Sequence, residues 1–168
     1  LFVKGVSATA EKKNKNSGRI EERAYALAAP ILEEKGYKLW DVCFEKEGAM
    51  WYLRILFDKD GGIDSDECEE VSEPLNKLID KQDFIGKIDI LEIGSPGLTK
   101  RLRRPEHFRA CIGERIRVTV RDEKGKEVSI FGMLSDYDDK TASFTLTKDG
   151  GEKESFAVSD CVKINSDL

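Results

Sequence analysis

The feature that most constrains the fold is a break near the middle of the chain. Leu91-Glu92-Ile93 reads as a strand, and Gly94-Ser95-Pro96-Gly97 ends it, because Gly and Pro are the strongest punctuators of local structure. Directly beyond stand Lys100, Arg101, Arg103 and Arg104, with Arg109 a little later. Helix and strand patterns are mixed before the break and almost wholly strand after it. A chain of 168 residues has room for two small domains. Gly94, Ser95, Pro96 and Gly97 are therefore read as an interdomain hinge, dividing a first domain over 18–96 from a second over 97–168.

Residues 1–17 are expected to form a disordered leader, because the stretch from Ala8 to Ser17 is polar, Lys-rich and without periodicity. The opening Leu1-Phe2-Val3-Lys4-Gly5-Val6 is too short and mixed for a secretory core segment. A helix follows, with Ile20, Ala24, Leu27, Ala28, Ile31 and Leu32 on one face, Pro30 expected to kink it and Gly36 to stop it. Two strands alternate next, through Trp40, Val42 and Phe44 and then Trp51, Leu53, Ile55 and Phe57, joined by a hairpin loop over 46–49. Asp64 and Glu67 form a capping box at the start of a second helix, whose inner stripe is Cys68, Val71, Leu75, Leu78 and Ile79. Pro74 should kink this helix too. A third strand is expected over 87–93. The order is helix, strand, strand, helix, strand, an α+β unit with helices on one face of a sheet.

Pro105 opens a short helix that should turn Phe108, Cys111 and Ile112 inward and end at Gly113. Strand patterns then recur over 116–120, 128–134, 142–146, 154–158 and 162–164, with turns at 123–126 and 149–151 and a bend or bulge expected at Gly132. Five short strands in this length imply a small closed barrel, which hides its edges. Its aromatics, Phe131, Tyr137, Phe144 and Phe156, are sparse, and most sit in apolar alternation that suggests core.

Charge is distributed unevenly. The whole chain carries a formal net charge of -5. Ten Lys/Arg face four Asp/Glu over 94–126, whereas eight acids face one Lys over 58–73. Such asymmetry suits a surface with two unlike neighbours. Lys100, Arg101, Arg103, Arg104 and Arg109 are candidates to hold an RNA backbone, since guanidinium pairs bidentately with phosphate without reading sequence. The other reading is that they pair with acids of the first domain. Asp66, Glu69, Glu70 and Glu73, on the outer side of the second helix, form a candidate acidic face for a protein partner.

Familiar reaction chemistry finds no support. A calcium loop counted from Asp58 would need Gly at its sixth position, where Ile63 stands, although Glu69 falls at the twelfth. Cys43, Cys68, Cys111 and Cys161 are dispersed, and His107 is the single imidazole, so no zinc site is expected and the thiols are read as reduced. His107 is expected to lie partly exposed on the short helix, without a nucleophile beside it. Gly94-Ser95-Pro96-Gly97 is neither a P-loop nor a dinucleotide-binding fingerprint. No catalytic residues, metal or cofactor are expected, and no apolar run is long enough to span a membrane as a helix.

Three stretches carry a family likeness. They are Asp60-Gly61-Gly62-Ile63 leading to Asp66-Glu67-Cys68-Glu69-Glu70-Val71-Ser72, then Leu91-Glu92-Ile93-Gly94-Ser95-Pro96-Gly97-Leu98, and Pro105-Glu106-His107-Phe108 through Ile112-Gly113. With the spacing of Phe131-Gly132-Met133-Leu134 and of residues 156–163, the chain resembles the RimP family of ribosome maturation factors from about Ile20 to Ile164. It departs from that family's pattern at Gly94, usually Ser, at Thr99-Lys100-Arg101, which replace a common Asp-Arg-Pro, and at Pro74.

The resemblance implies an α+β domain followed by an SH3-like barrel, in a non-enzymatic, cytoplasmic factor. Such a factor binds the immature small ribosomal subunit and assists its late assembly, with the barrel near the twelfth small-subunit protein and with ribosomal RNA close by. A monomer is expected. An alternative from the residues alone is a general RNA-binding module that uses an Sm-like or OB-like barrel surface.

Overall fold

The computed structural model describes residues 2–3, 10–97 and 99–167, with side chains described from residue 18 onward. The chain divides into two compact units, Leu1–Pro96 and Gly97–Leu168. Among the described residues no helix is long and apolar enough to cross a membrane.

The first unit contains β1 (Phe2–Val3), α1 (Ala10–Glu34), β2 (Lys38–Glu47), β3 (Met50–Asp58), α2 (Ser65–Asp80) and β4 (Ile90–Gly94). Its sheet has the order β1-β4-β3-β2. β2 and β3 form an antiparallel hairpin, while β4 returns parallel to β3 after crossing through α2. The core follows the two periodicities of the sequence. Ile20, Ala24, Ala28 and Leu32 of α1 and Val71, Leu75 and Ile79 of α2 are buried against Leu53, Ile55 and Phe57 of β3 and Leu91 of β4. Each fully buried Leu, Ile or Phe contributes roughly 1.5–3 kcal/mol relative to exposure.

The helix ends have identifiable causes. Asp64 accepts from the Glu67 N–H at 2.8 Å while Glu67 accepts from the Asp64 N–H at 2.9 Å, the reciprocal capping box that starts α2. Gly36, at φ 84°, ends α1 where an L side chain would be strained. The outer edge of β2 is closed locally, since the Phe44 N–H donates to a Glu21 carboxylate on α1 at 2.9 Å.

Three expectations for this unit change. α1 begins at Ala10, so residues 10–17 are helical rather than a disordered leader, while residues 1 and 4–9 lie outside the described residues. A polar stretch with Ala, Glu and Lys extends a helix already nucleated by the apolar stripe beyond it. The third strand starts at Ile90 rather than Lys87, because Ile85–Lys87 forms a 3-10 turn. The hairpin loop shrinks to Gly48-Ala49, with Gly48 at φ 59°. α1 and α2 remain helical through Pro30 and Pro74.

The second unit contains α3 (Pro105–Ala110), β5 (Arg115–Arg121), β6 (Glu127–Asp138), β7 (Ser143–Lys148), β8 (Lys153–Ala157) and β9 (Lys163–Ser166). All five strands form one antiparallel sheet of order β8-β7-β6-β5-β9. The expected closed barrel is corrected here: β8 and β9 share no ladder and are the sheet's two ends. A 3-10 turn, Val158–Asp160, carries the chain from β8 across to β9, which pairs with β5. Part of the cover comes from α3 instead. The Phe108 ring stacks on Tyr137 at 4.7 Å and on Phe144 at 5.5 Å, and Phe144 stacks on Phe156.

The bulge in β6 falls between Leu134 and Asp136, later than Gly132. Gly132 answers a different need, because a Cβ there would lie 2.5 Å from the Thr147 carbonyl oxygen. Ile112 does not face inward with Phe108 and Cys111; it is exposed, as Gly113 at φ 88° turns the chain away.

Candidate functional site

The basic segment after the break is built into the second unit by its backbone. The Ser166 N–H donates to the Lys100 carbonyl at 2.8 Å, and the Leu102 N–H donates to the Ile164 carbonyl at 2.8 Å. Arg101 bridges Asn165, and the Lys100 N–H donates to the Ser166 hydroxyl at 2.7 Å. Residues 100–102 therefore lie along the outer edge of β9 as a short strap. Leu102 is buried and anchors it, while Arg101 is exposed. Side-chain alternation along an extended strap sends these two neighbours to opposite sides.

The next two cations are fixed by His107. Its Nδ1 accepts from the Arg103 N–H at 3.0 Å and from the Arg104 N–H at 3.1 Å. Nδ1 is thus unprotonated, and a neutral ring carries its proton on Nε2. The His107 N–H in turn donates to the Arg104 carbonyl at 2.9 Å, closing the turn that Pro105 begins. His107 is buried, which corrects the partly exposed placement expected for it. An imidazole at the third helical position here acts on the free N–H groups of the helix entrance, as Glu does in a capping box.

Arg109 stands apart from this run. It lies on α3 and pairs with Asp139 beyond β6, and that carboxylate holds its guanidinium further toward the charged form. At the break itself, Gly94 ends β4 and Gly97 takes φ 81°, with Ser95 and Pro96 between them. Leu98, part of the family likeness, lies outside the described residues.

In the first unit, Asp66, Glu69, Glu70 and Glu73 are exposed on α2 and border a shallow open depression with Asp64 and Glu67. Most of them sit in the first turns, where the helix dipole favours negative charge. Glu67 differs from the rest: Lys59 bonds it and the Asp64 N–H supports it, so its carboxyl is held below the usual range. Glu73 pairs with Lys77 one turn on, at 3.0 Å. Among the described residues no group of His, Cys, Asp and Glu is arranged to hold a metal ion.

The thiols have no activated member among those shifted. Burial pushes Cys111 and Cys161 up to about 11, so both remain protonated near neutral pH. None of the four cysteines, all of them among the described residues, is in a disulfide.

Residues that the sequence pattern hid lie on β6. Phe131 is 38% exposed and Met133 44%, although alternation among the aromatics points to core. The misleading signal is that Val128, Ile130 and Leu134 make the opposite parity of the strand apolar too.

Residues 27–99 match the family model for the RimP N-terminal domain. That span runs from the middle of α1 through α2 and β4 to the edge of the basic strap. Over that span, which is less than half of the chain, the protein is similar to the N-terminal domain of the RimP family.

Proposed function

We propose that this protein is a non-enzymatic maturation factor that binds the immature small ribosomal subunit and assists its late assembly in the cytoplasm, acting as a monomer. The match of residues 27–99 to the RimP N-terminal domain carries this reading. The two domains in it span 18–96 and 97–168, with Gly94, Ser95, Pro96 and Gly97 as the hinge.

The second domain is read as an SH3-like barrel. Support comes from the strand order β8-β7-β6-β5-β9, with the last strand beside the first of the unit and a 3-10 turn just before it. This domain faces the twelfth small-subunit protein and nearby ribosomal RNA. Lys100, Arg101, Arg103 and Arg104, on a strap whose backbone is already ordered, meet RNA phosphates, with Arg109 at the margin. Asp66, Glu69, Glu70 and Glu73 meet a basic ribosomal protein.

The experiment is co-sedimentation with small subunits across a salt series, comparing the natural chain with Arg101, Arg103 and Arg104 all reversed to Glu. Loss of affinity together with a flatter salt dependence is expected. Unchanged affinity and slope would remove the strap from the interface. Recovery of tagged protein from a native lysate on mature ribosomes, but not on immature small subunits, would sink the assembly role.

A further inference from the structure

The outer face of the second unit's sheet joins an exposed ring, an exposed thioether and several cations in cross-strand rows. Arg117 on β5 lies directly opposite Phe131 on β6, and Asn165 on β9 continues that row. In the next row, Arg115 lies opposite Met133, which faces Thr147 and then Lys153 on β8. Lys163 on β9 ends the flanking row beside Thr119. The opposite parity of β6, through Gly132 and Leu134, is buried, so Phe131 and Met133 point to solvent as a consequence of register.

The cations on this face differ in availability. Arg115 sits over the Phe131 ring, with its guanidinium carbon 5.6 Å from the centroid, and is held by Asp149 at 2.6 Å and Asp167 at 2.9 Å. Its charge is spent, and it serves to steady the ring. Arg117, Lys153 and Lys163 have no carboxylate partner among the described residues. Five strands at about 4.8 Å spacing put roughly 19 Å between β9 and β8, a length suited to a few nucleotides.

We propose that this face docks a single-stranded segment of RNA, with one base stacked on Phe131, Met133 packed beside it, and flanking phosphates on Arg117, Lys153 and Lys163. A partly exposed ring among cations offers what a base and its phosphodiester need together. An acidic peptide would use the cations and leave the ring without its preferred partner. A second copy would set like charges against each other. A duplex keeps its bases stacked inside and cannot reach Phe131. The inference rests on the small-subunit reading only for the source of the strand, and its test needs no subunits.

The test measures fluorescence anisotropy of the full chain with a labelled 12-nucleotide oligouridylate and with an RNA duplex of equal length, across a salt series. The single strand should bind more tightly than the duplex. Phe131→Leu should weaken it roughly 5- to 100-fold with an unchanged melting temperature. Arg117→Gln should reduce the slope of log affinity against log salt by about 0.7. Absence of salt-dependent binding overturns the proposal, as does binding that neither substitution alters. Equal binding of a labelled oligoglutamate, lost in Phe131→Leu, would hand the face to an acidic peptide. Dimerisation lost in the same variant, seen by sedimentation, would hand it to a second copy. If either happens while small-subunit binding still depends on Arg101, Arg103 and Arg104, the docking proposal fails and the maturation-factor reading stands.

Discussion

The two units each turn one face of a sheet outward, and they treat its arginines in opposite ways. In the first unit Arg54 on β3 is bonded by Glu47 at 2.8 Å and Glu92 at 2.6 Å, and it stacks over Tyr52 with its guanidinium carbon 4.5 Å from the ring centroid. Cation, anions and ring satisfy one another there. In the second unit Arg115 is similarly occupied, but Arg117, two residues further along β5 and opposite Phe131, has no carboxylate partner among the described residues, and Arg115 is the cation that lies over the Phe131 ring. Net charge follows the same division: residues 1–96 carry -6 and residues 97–168 carry +1. An internally satisfied face stabilises its own unit, whereas a face with charge left over has something to offer a partner.

The largest test sets a core against an outer face. Leu53→Ala should destabilise the first unit by about 2–5 kcal/mol, because Leu53 is fully buried between sheet and helices. Phe131→Leu should stay within about 0.5 kcal/mol. Thermal and denaturant unfolding check both, and a severe loss of stability in Phe131→Leu would mean that the ring is structural after all.

Next comes the imidazole clamp. His107→Ala leaves two backbone N–H groups without their acceptor and should cost about 1–3 kcal/mol in the second unit, with earlier proteolysis around residues 100–104. His107→Gln, which restores an acceptor, should recover part of it. Equal losses in both variants would assign the effect to packing instead of the two bonds.

A matched pair then addresses the two arginines directly. Arg54→Met strands Glu47 and Glu92 and should cost about 1 kcal/mol, whereas Arg117→Met should be close to neutral. Urea midpoints compare them, and equal effects would erase the contrast between the faces.

The smallest effect is on acid sensitivity. Glu47, Glu67 and Asp83 of the first unit are held below their ordinary values, chiefly by hydrogen bonds from Arg54, Lys59 and Arg23 respectively. A depressed carboxyl contributes stability above its unfolded-state pKa and loses it as pH falls through its folded-state pKa. Asp149 behaves likewise in the second unit, where Arg115 lowers it. Melting followed from neutral pH down through the carboxylate range should therefore show the first unit weakening somewhat more, and a steeper loss in the second unit would contradict the assignment.

Much of the first unit is legible in its sequence because both helices and both hairpin strands have one apolar face each. Ile20, Ala24, Ala28 and Leu32 announce α1, and Asp64 with Glu67 announces the start of α2. The second unit is harder for a physical reason: β6 is apolar at both parities, so alternation alone does not distinguish Phe131 and Met133 from Gly132 and Leu134. Strand order depends on pairings far apart in sequence, and the lack of a ladder between β8 and β9 leaves no local signature. The cations at 100–104 are plain to see, yet the strap that orders them is not, since Leu102 is the only apolar residue among them. His107 was equally hidden, because its partners are backbone groups that come together only once Pro105 has turned the chain.

The strap on β9 also bears on self-association. An edge strand with bare N–H and C=O groups is a template for another chain, and residues 100–102 occupy that place on β9 from within the same molecule. At the other end of the sheet, β8 carries Lys153 and Glu154, charges that discourage edge-to-edge pairing. A second unit trimmed to begin at Pro105 would keep all five strands and lose that guard, so the basic segment protects the sheet against aggregation whatever else it touches.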